Sequence, residues 1–139
     1  MGTPYEKIYE RFLNSVSDFN LVELDDHTLD EMLKDWLHKA IVRARTSSNL
    51  SRDDENYVFS NVLSDLDIEL LALGMKLAWL DQTLGSTELT LQFVGGKEEK
   101  WFSQAAHISE LRSLREDTKL EIQKLHSYNT YVNSSYFND

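Results

Sequence analysis

The sequence predicts an all-α fold, a compact bundle of four to five helices with a long C-terminal helix. Three observations favour this class. Apolar residues recur at helical spacing along most of the chain, capping residues precede several of these runs, and the 139 residues include five glycines and one proline. A chain of this length makes one domain of ordinary size. The same spacing also allows one short β element in this otherwise helical chain, near Tyr57–Val62 or Thr90–Val94.

The first two helices have recognisable starts. Thr3 offers a hydroxyl cap, Pro4 takes the first helical position and Glu6 follows as the carboxylate of a capping box, so a helix of about three turns is predicted from there. A second helix is predicted from Thr28 to near Thr46, followed by a polar connection. Its wide apolar stripe indicates packing on a core and consists of Leu29, Met32, Leu33, Trp36, Leu37, Ala40, Ile41 and Ala44.

The third helix is predicted to be the central one, because its apolar residues cover nearly every side. Ser64 and Asp67 form its capping box, Gly74 favours the close approach of a neighbouring helix, and Gly85 is predicted to end it. After Gly85 two interpretations stay open. Ser86 suits a new helix start, whereas the alternation of Leu89, Leu91 and Phe93 suits a strand.

A long last helix is predicted from Ser103, beyond a glycine pair and a charged turn over 97–100. Mixed charges cover its outer faces. After Tyr128 the sequence turns polar, so we divide the chain into a helical domain over 1–128 and a C-terminal tail over 129–139. The apolar seam of the helix is formed by Ile108, Leu111, Leu114, Thr118, Ile122 and Leu125.

Composition excludes several classes of protein. The 14 basic and 24 acidic residues give a net charge of −10, which argues against a nucleic-acid clamp. Without cysteine the chain has no disulfide, no thiolate nucleophile and no cysteine-ligated metal. No apolar run is long enough to span a membrane, and the first residues lack the pattern of a signal peptide. We therefore expect a cytoplasmic protein without a membrane partner.

The sequence contains no convincing active site. His27, His38, His107 and His126 each stand alone in their segments, and no pair has the helical spacing of a metal site. His38 and His107 are interpreted as partly buried polar residues. Asp53–Glu55 lacks the alternating ligands of a calcium loop, so we interpret it as a solvated turn. No catalytic residue, cofactor or metal is predicted.

The tail is unusually aromatic for a polar segment. A free tail is normally poorer in aromatic residues, so docking on a partner is one interpretation and a frayed terminus is the other. The candidate docking residues are Tyr128, Tyr131, Val132, Tyr136 and Phe137.

Four stretches of the chain resemble small proteins encoded in the structural gene cluster of tailed bacteriophages, among the head–tail connector, adaptor or neck components. The likeness is carried by helical surface and core patterns without catalytic meaning, and it covers the chain from Pro4 to about Tyr131. The stretches are Pro4–Leu13, the end of the second helix at Ala40–Arg43, Ser103–His107 and Leu111–Asp117.

The resemblance implies a helical adaptor that forms a ring of copies, twelve in number, below the portal of the capsid. It would join the portal to the next neck or tail-completion protein, and its C-terminal segment would reach the portal. DNA would pass through the ring without sequence-specific binding. The implied location is the virion head–tail junction, after assembly in the host cytoplasm, and the resemblance carries over no catalytic residue or cofactor.

The resemblance also suggests a role for the net negative charge, because an acidic channel through the ring would repel DNA and let it slide. The candidate channel-facing loop residues are Asp53, Asp54, Glu55, Glu98 and Glu99, and charges scattered for solubility are the alternative. The second functional candidate is a soluble helical binding module, such as a phage assembly chaperone or regulator. An enzyme ranks third, since its site would have to be assembled from His27, His107 and scattered carboxylates.

Overall fold

The computed structural model describes residues 2–16, 26–43, 50–94 and 98–132, and for 88–94, 98–104 and 129–132 the backbone alone. The described part is mostly helical, which confirms the predicted class, and it contains four helices and a small three-stranded sheet. In chain order the elements are β1 Thr3–Pro4, α1 Tyr5–Ser15, α2 Asp26–Arg43, β2 Arg52–Asp53, β3 Val58–Phe59, α3 Asp65–Val94 and α4 Glu98–Val132.

The sheet is a short antiparallel cap on the helices, with strand order β1-β3-β2. Phe59 in the central strand pairs with Thr3 on one side and with Arg52 on the other, and its side chain is fully buried. The predicted β element near 57–62 is therefore confirmed at Val58–Phe59. The alternative at 90–94 is wrong, because those residues continue α3.

The capping box predicted at the start of α1 is wrong, because Thr3 does not cap this helix. Thr3 belongs to β1, and its hydroxyl accepts a hydrogen bond from the backbone amide of Leu63 at 2.8 Å instead of capping the helix. Pro4 occupies the cap position without a side-chain hydrogen bond. The helix still starts at Tyr5, whose amide donates to the carbonyl of Tyr57 at 2.9 Å. The sheet thus supplies the partner that a local cap would have supplied.

Helix α2 begins two residues earlier than predicted, so that Thr28 lies in its first turn and not at its cap. Four residues of the predicted stripe are fully buried, namely Leu33, Trp36, Leu37 and Ala40. The described helix ends at Arg43, and the predicted end near Thr46 lies outside the described residues.

Helix α3 is longer than predicted, because Gly85 does not end it. The capping box is confirmed at its start, where the hydroxyl of Ser64 accepts from the amide of Asp67 at 3.2 Å. Gly85 is exposed and helical, and α3 continues through it to Val94. A glycine costs a helix about 1 kcal/mol relative to alanine, which is too little to break a long packed helix.

Helix α4 starts at Glu98, five residues before the predicted start at Ser103, so Glu98 and Glu99 are helical and do not form a loop. It also runs to Val132, across the boundary at 128 that divides the predicted domain from its tail. None of the helices within the described ranges has the length and apolar content that crossing a membrane requires.

The hydrophobic core lies around α3 and draws on every helix. Phe12 of α1 sits between two tryptophan rings, with its centroid 5.5 Å from Trp36 of α2 and 6.5 Å from Trp79 of α3. Gly74 lies against Ala40, so α2 and α3 approach as closely as the sequence predicted. Helix α4 packs along α3 and contributes Leu111. Arg115 of α4 reaches Asp81 of α3, so the two helices are in contact at this level.

Candidate functional site

The β2–β3 hairpin carries a group of interacting polar side chains. Its turn is closed by Asp53, whose carboxylate accepts from the amide of Glu55 at 2.9 Å and from the amide and side chain of Asn56 at 3.2 and 2.6 Å. These hydrogen bonds hold the pKa of Asp53 below its ordinary value. Tyr57 completes the turn in the left-handed region, with φ of 55°. Such a backbone is unfavourable for a residue of this size and persists only when its surroundings hold it.

The neighbouring carboxylate, Asp54, is turned toward the helices and is only partly exposed. The hydroxyl of Tyr5 donates to its Oδ1, and Nε2 of His38 lies 3.1 Å from the same oxygen. Because a carboxylate only accepts hydrogen bonds, Nε2 of His38 carries a proton here. Nε of Arg52 lies 3.6 Å from this oxygen as well. We call these four residues the Asp54 cluster, and it joins α1, α2 and the hairpin.

Lys34 of α2 contacts the same turn from a second side. Its ammonium group lies 3.5 Å from the carbonyl oxygen of Asp54 and 4.9 Å from the centre of the Tyr57 ring. The second contact is a cation–π interaction, which adds a fraction of a kcal/mol at a site of this exposure. The strained Tyr57 is therefore held by Lys34 on one side and by its hydrogen bond to Tyr5 on the other.

The electrostatics of the cluster favour one protonation state. Hydrogen bonds from Tyr5 and then His38 hold the pKa of Asp54 below its ordinary value, so its carboxylate is charged at neutral pH. Burial, followed by the hydrogen bond to Asp54, raises the pKa of Tyr5, so its hydroxyl keeps its proton. Burial also raises the pKa of Tyr9, and its hydroxyl has no partner among the described residues.

The arrangement stabilises structure and offers little for catalysis. A general base works best when its pKa lies near neutral pH, whereas the hydrogen bonds to Oδ1 hold the pKa of Asp54 below its ordinary value and make its carboxylate a weak base. The cluster is a bridge that fastens the hairpin to α1 and α2.

A second charged group fastens three helices to one another. Asp81 of α3 accepts from Nε of Arg115 on α4 at 2.6 Å and from Nη1 of Arg43 on α2 at 3.2 Å. Burial raises the pKa of Asp81, but the hydrogen bonds from the two guanidinium groups outweigh it and leave this pKa below its ordinary value. Next to this group, His38, Lys39, Val42 and Arg43 line an open depression of about 340 Å³.

The predicted histidine pattern is only partly confirmed. His38 is partly buried, as expected, but His107 is exposed on α4. His27 is exposed and pairs with Glu31 at 3.3 Å, one turn further along α2. Among the described residues, no three His, Asp or Glu side chains are placed to hold a metal ion.

The structure places the predicted acidic loop residues in three different environments. Asp53 and Glu55 are exposed on the hairpin, which agrees with a solvated turn. Asp54 contradicts that interpretation, because its carboxylate is taken up by Tyr5 and His38. Glu98 and Glu99 belong to α4, and their side chains lie outside the description.

The predicted docking residues lie at and beyond the end of α4. Tyr128 is 61% exposed on this helix. Tyr131 and Val132 are in the last turn of its backbone, with side chains outside the description, and Tyr136 and Phe137 lie beyond the described residues.

Sequence reasoning missed both charged groups, the Asp54 cluster and the Asp81 group. Tyr5 and Asp54 are 49 positions apart, and Asp81 and Arg115 are 34 apart. Neither separation corresponds to a local motif, so no spacing in the sequence could have revealed them. Comparison of the chain with protein-family models, with curated proteins and with solved structures finds no match.

Proposed function

We propose that this protein is a structural, non-enzymatic subunit of the head–tail junction of a tailed phage, in which copies form a ring between the portal and the next neck or tail protein. One observation carries the proposal. Large apolar side chains are exposed on separate elements, with Val42 on α2 85% exposed, Val62 beside the sheet 74% and Tyr128 on α4 61%.

Exposed apolar residues on separate surfaces suit a subunit with several neighbours. A ring subunit needs two different contact surfaces for its own copies, because a head-to-tail interface joins unlike patches. It needs further surfaces for the proteins above and below the ring. The rigid build of the molecule supports this role too, since α3 and α4 are long, packed against each other and tied by Asp81 to α2.

The C-terminal tail is the segment that we assign to the portal. Its candidate contacts are Tyr128, Tyr131, Val132, Tyr136 and Phe137, and the exposure of Tyr128 supports the assignment. An exposed tyrosine is well suited to an interface, because its ring buries a large apolar area while its hydroxyl finds a polar partner.

For the channel we retain the exposed hairpin carboxylates Asp53 and Glu55 as the acidic surface that lets DNA slide. Asp54 is removed from this set, because its carboxylate binds Tyr5 and His38.

The proposal is tested by measuring mass with the portal protein of the same genome present. A ring-sized complex that contains both proteins is the expected result. A protein that ignores the portal and is absent from purified virions would instead support the soluble binding module, a chaperone or regulator of assembly.

A further inference from the structure

The face of α4 that points away from α3 is fully exposed and nearly uncharged. The core-facing side carries Ile108, Leu111 and Thr118, all buried. At about 100° per residue, the opposite side carries a line of residues with alternating spacings of three and four. This outer stripe has one charged member and consists of Ala106, Ser109, Ser113, Glu116, Leu120, Gln123 and Ser127, all exposed.

Charges of opposite sign border the outer stripe. Glu110, Asp117 and Glu121 lie along one edge, which we call the acidic flank, and Arg112 and Lys119 lie along the other, the basic flank. Lys124 is the one basic residue on the acidic flank, at its C-terminal end. Lys119 also lies 3.7 Å from Glu116 of its own helix, but such a surface pair is weak and exchanges readily for another partner.

We infer that a second copy of this chain packs on the outer face of α4, parallel and outer stripe to outer stripe, with the basic flank of each copy against the acidic flank of the other. The inference goes beyond the proposed function, because it concerns a pair of copies of this chain and is tested without the portal. In a parallel arrangement without stagger, Arg112 comes to the level of Glu110 in the neighbour, and Lys119 to the level of Asp117 and Glu121.

Charge selects the parallel arrangement over the antiparallel one. A two-fold antiparallel pair places each flank against its own copy, acid on acid and base on base, which is repulsive. In the parallel arrangement each basic flank meets the acidic flank of the other copy, so the charges attract along both edges of the outer stripe.

The outer stripe fits the close contact that this arrangement requires. Ala106, Ser109 and Ser113 are small, so they let a neighbouring helix approach. Leu120 is 53% exposed in the middle of the described helix and offers the apolar anchor between the two charged flanks.

The test reverses one flank at a time and then both. Glu110→Lys with Asp117→Lys makes both flanks basic, and Arg112→Glu with Lys119→Glu makes both acidic. The mass of each purified full-length protein is followed by sedimentation velocity over a range of concentrations. The matched control is Glu6→Lys with Glu10→Lys, the same change of charge on the exposed side of α1.

Wild type and the α1 control are expected to associate as concentration rises, less strongly at high salt. Either flank reversal should raise the dissociation constant at least about tenfold, because like charges then face each other. An equimolar mixture of the two reversed proteins should associate again. The variant with all four substitutions should also associate, because its two flanks have exchanged signs. Recovered association in either case also shows that the substituted chains fold.

A wild-type protein that stays monomeric at every concentration overturns the inference, as do flank variants that associate like wild type or fail to recover on mixing. The portal experiment is decided separately. Self-association through α4 without portal binding would support this inference and reject the phage role. Portal binding by a protein that does not self-associate would support the phage role and reject this inference.

Discussion

At the scale of single residues, the role of Asp54 depends on partners that lie far away in the sequence. As part of an acidic triplet it was predicted to be solvated and channel-facing. In the fold it accepts hydrogen bonds from Tyr5 and His38, which belong to two different helices. Its neighbours Asp53 and Glu55 remain exposed, so adjacent carboxylates of the same type have separate functions.

Replacing Asp54 by asparagine should lower the free energy of unfolding by about 1 kcal/mol. The amide keeps the shape but loses the charge-assisted hydrogen bonds, and the partial exposure of the site limits the loss. Urea unfolding followed by circular dichroism measures it. Glu55→Gln, an exposed neighbour, is the control and should change stability by less than about 0.5 kcal/mol. Equal effects of the two substitutions would contradict the bridging role of Asp54.

The lowered pKa values of Asp54 and Asp81 predict how stability depends on pH. Because each carboxyl binds protons less readily in the folded chain than in the unfolded one, both stabilise the fold above the unfolded pKa of about 3.9. We expect stability to be nearly constant from pH 7 to about pH 5 and to fall as the pH drops below about 4.

Urea midpoints measured across this range test the pH prediction. Asp54→Asn should show a smaller fall between pH 5 and pH 3 than wild type, since one of the titrating groups is gone. An unchanged fall in this variant would show that Asp54 contributes nothing to the acid sensitivity of the fold.

At the scale of elements, two glycines of α3 have opposite surroundings. A Cβ added at Gly74 would lie 2.8 Å from the Cβ of Ala40, whereas one added at Gly85 would have no neighbour within 4 Å. The first glycine lets α2 cross close to α3. The second only weakens the helix that it was predicted to end.

Alanine substitution should therefore have opposite effects at these two positions. Gly85→Ala should stabilise the protein by about 0.5–1 kcal/mol through helix propensity alone. Gly74→Ala gains the same propensity but forces α2 outward, and a net loss of about 1–2 kcal/mol is expected. Thermal and urea unfolding of the two variants give the comparison. A stabilised Gly74→Ala would mean that the two helices have room to separate.

At the scale of the whole molecule, the excess of acidic over basic residues is unevenly distributed along the chain. Between 105 and 128 helix α4 has four acidic and four basic side chains, so it contributes nothing to the net charge of −10. The hairpin and the first turns of α3 carry an excess of acid, with Asp53 and Glu55 exposed on the first and Asp65 exposed on the second. Part of the net negative charge is therefore carried by exposed side chains of these two elements.

Removal of the chain beyond Val132 tests the tail without shortening α4. The truncated protein should unfold at the same urea concentration as the full chain, because the described hydrophobic core extends only as far as Leu114 and stays intact. Joining to the portal should be lost, since Tyr136 and Phe137 are gone. Full joining by the truncated protein would exclude these two residues as portal contacts, and a Tyr136→Ala, Phe137→Ala double variant is the matched full-length control.

Sequence patterns were sufficient to predict the helical class, the central position of α3, its capping box at Ser64 and the close approach at Gly74. These features depend on local spacing and on the distribution of apolar side chains around a helix. The folded structure was needed to show that Thr3 bonds to Leu63, that α3 continues through Gly85, and that Asp54 and Asp81 join distant elements. These features depend on partners that packing brings together. The hydrogen bonds join residues that are far apart in the chain, and α3 continues through its glycine because contacts with other helices stabilise it.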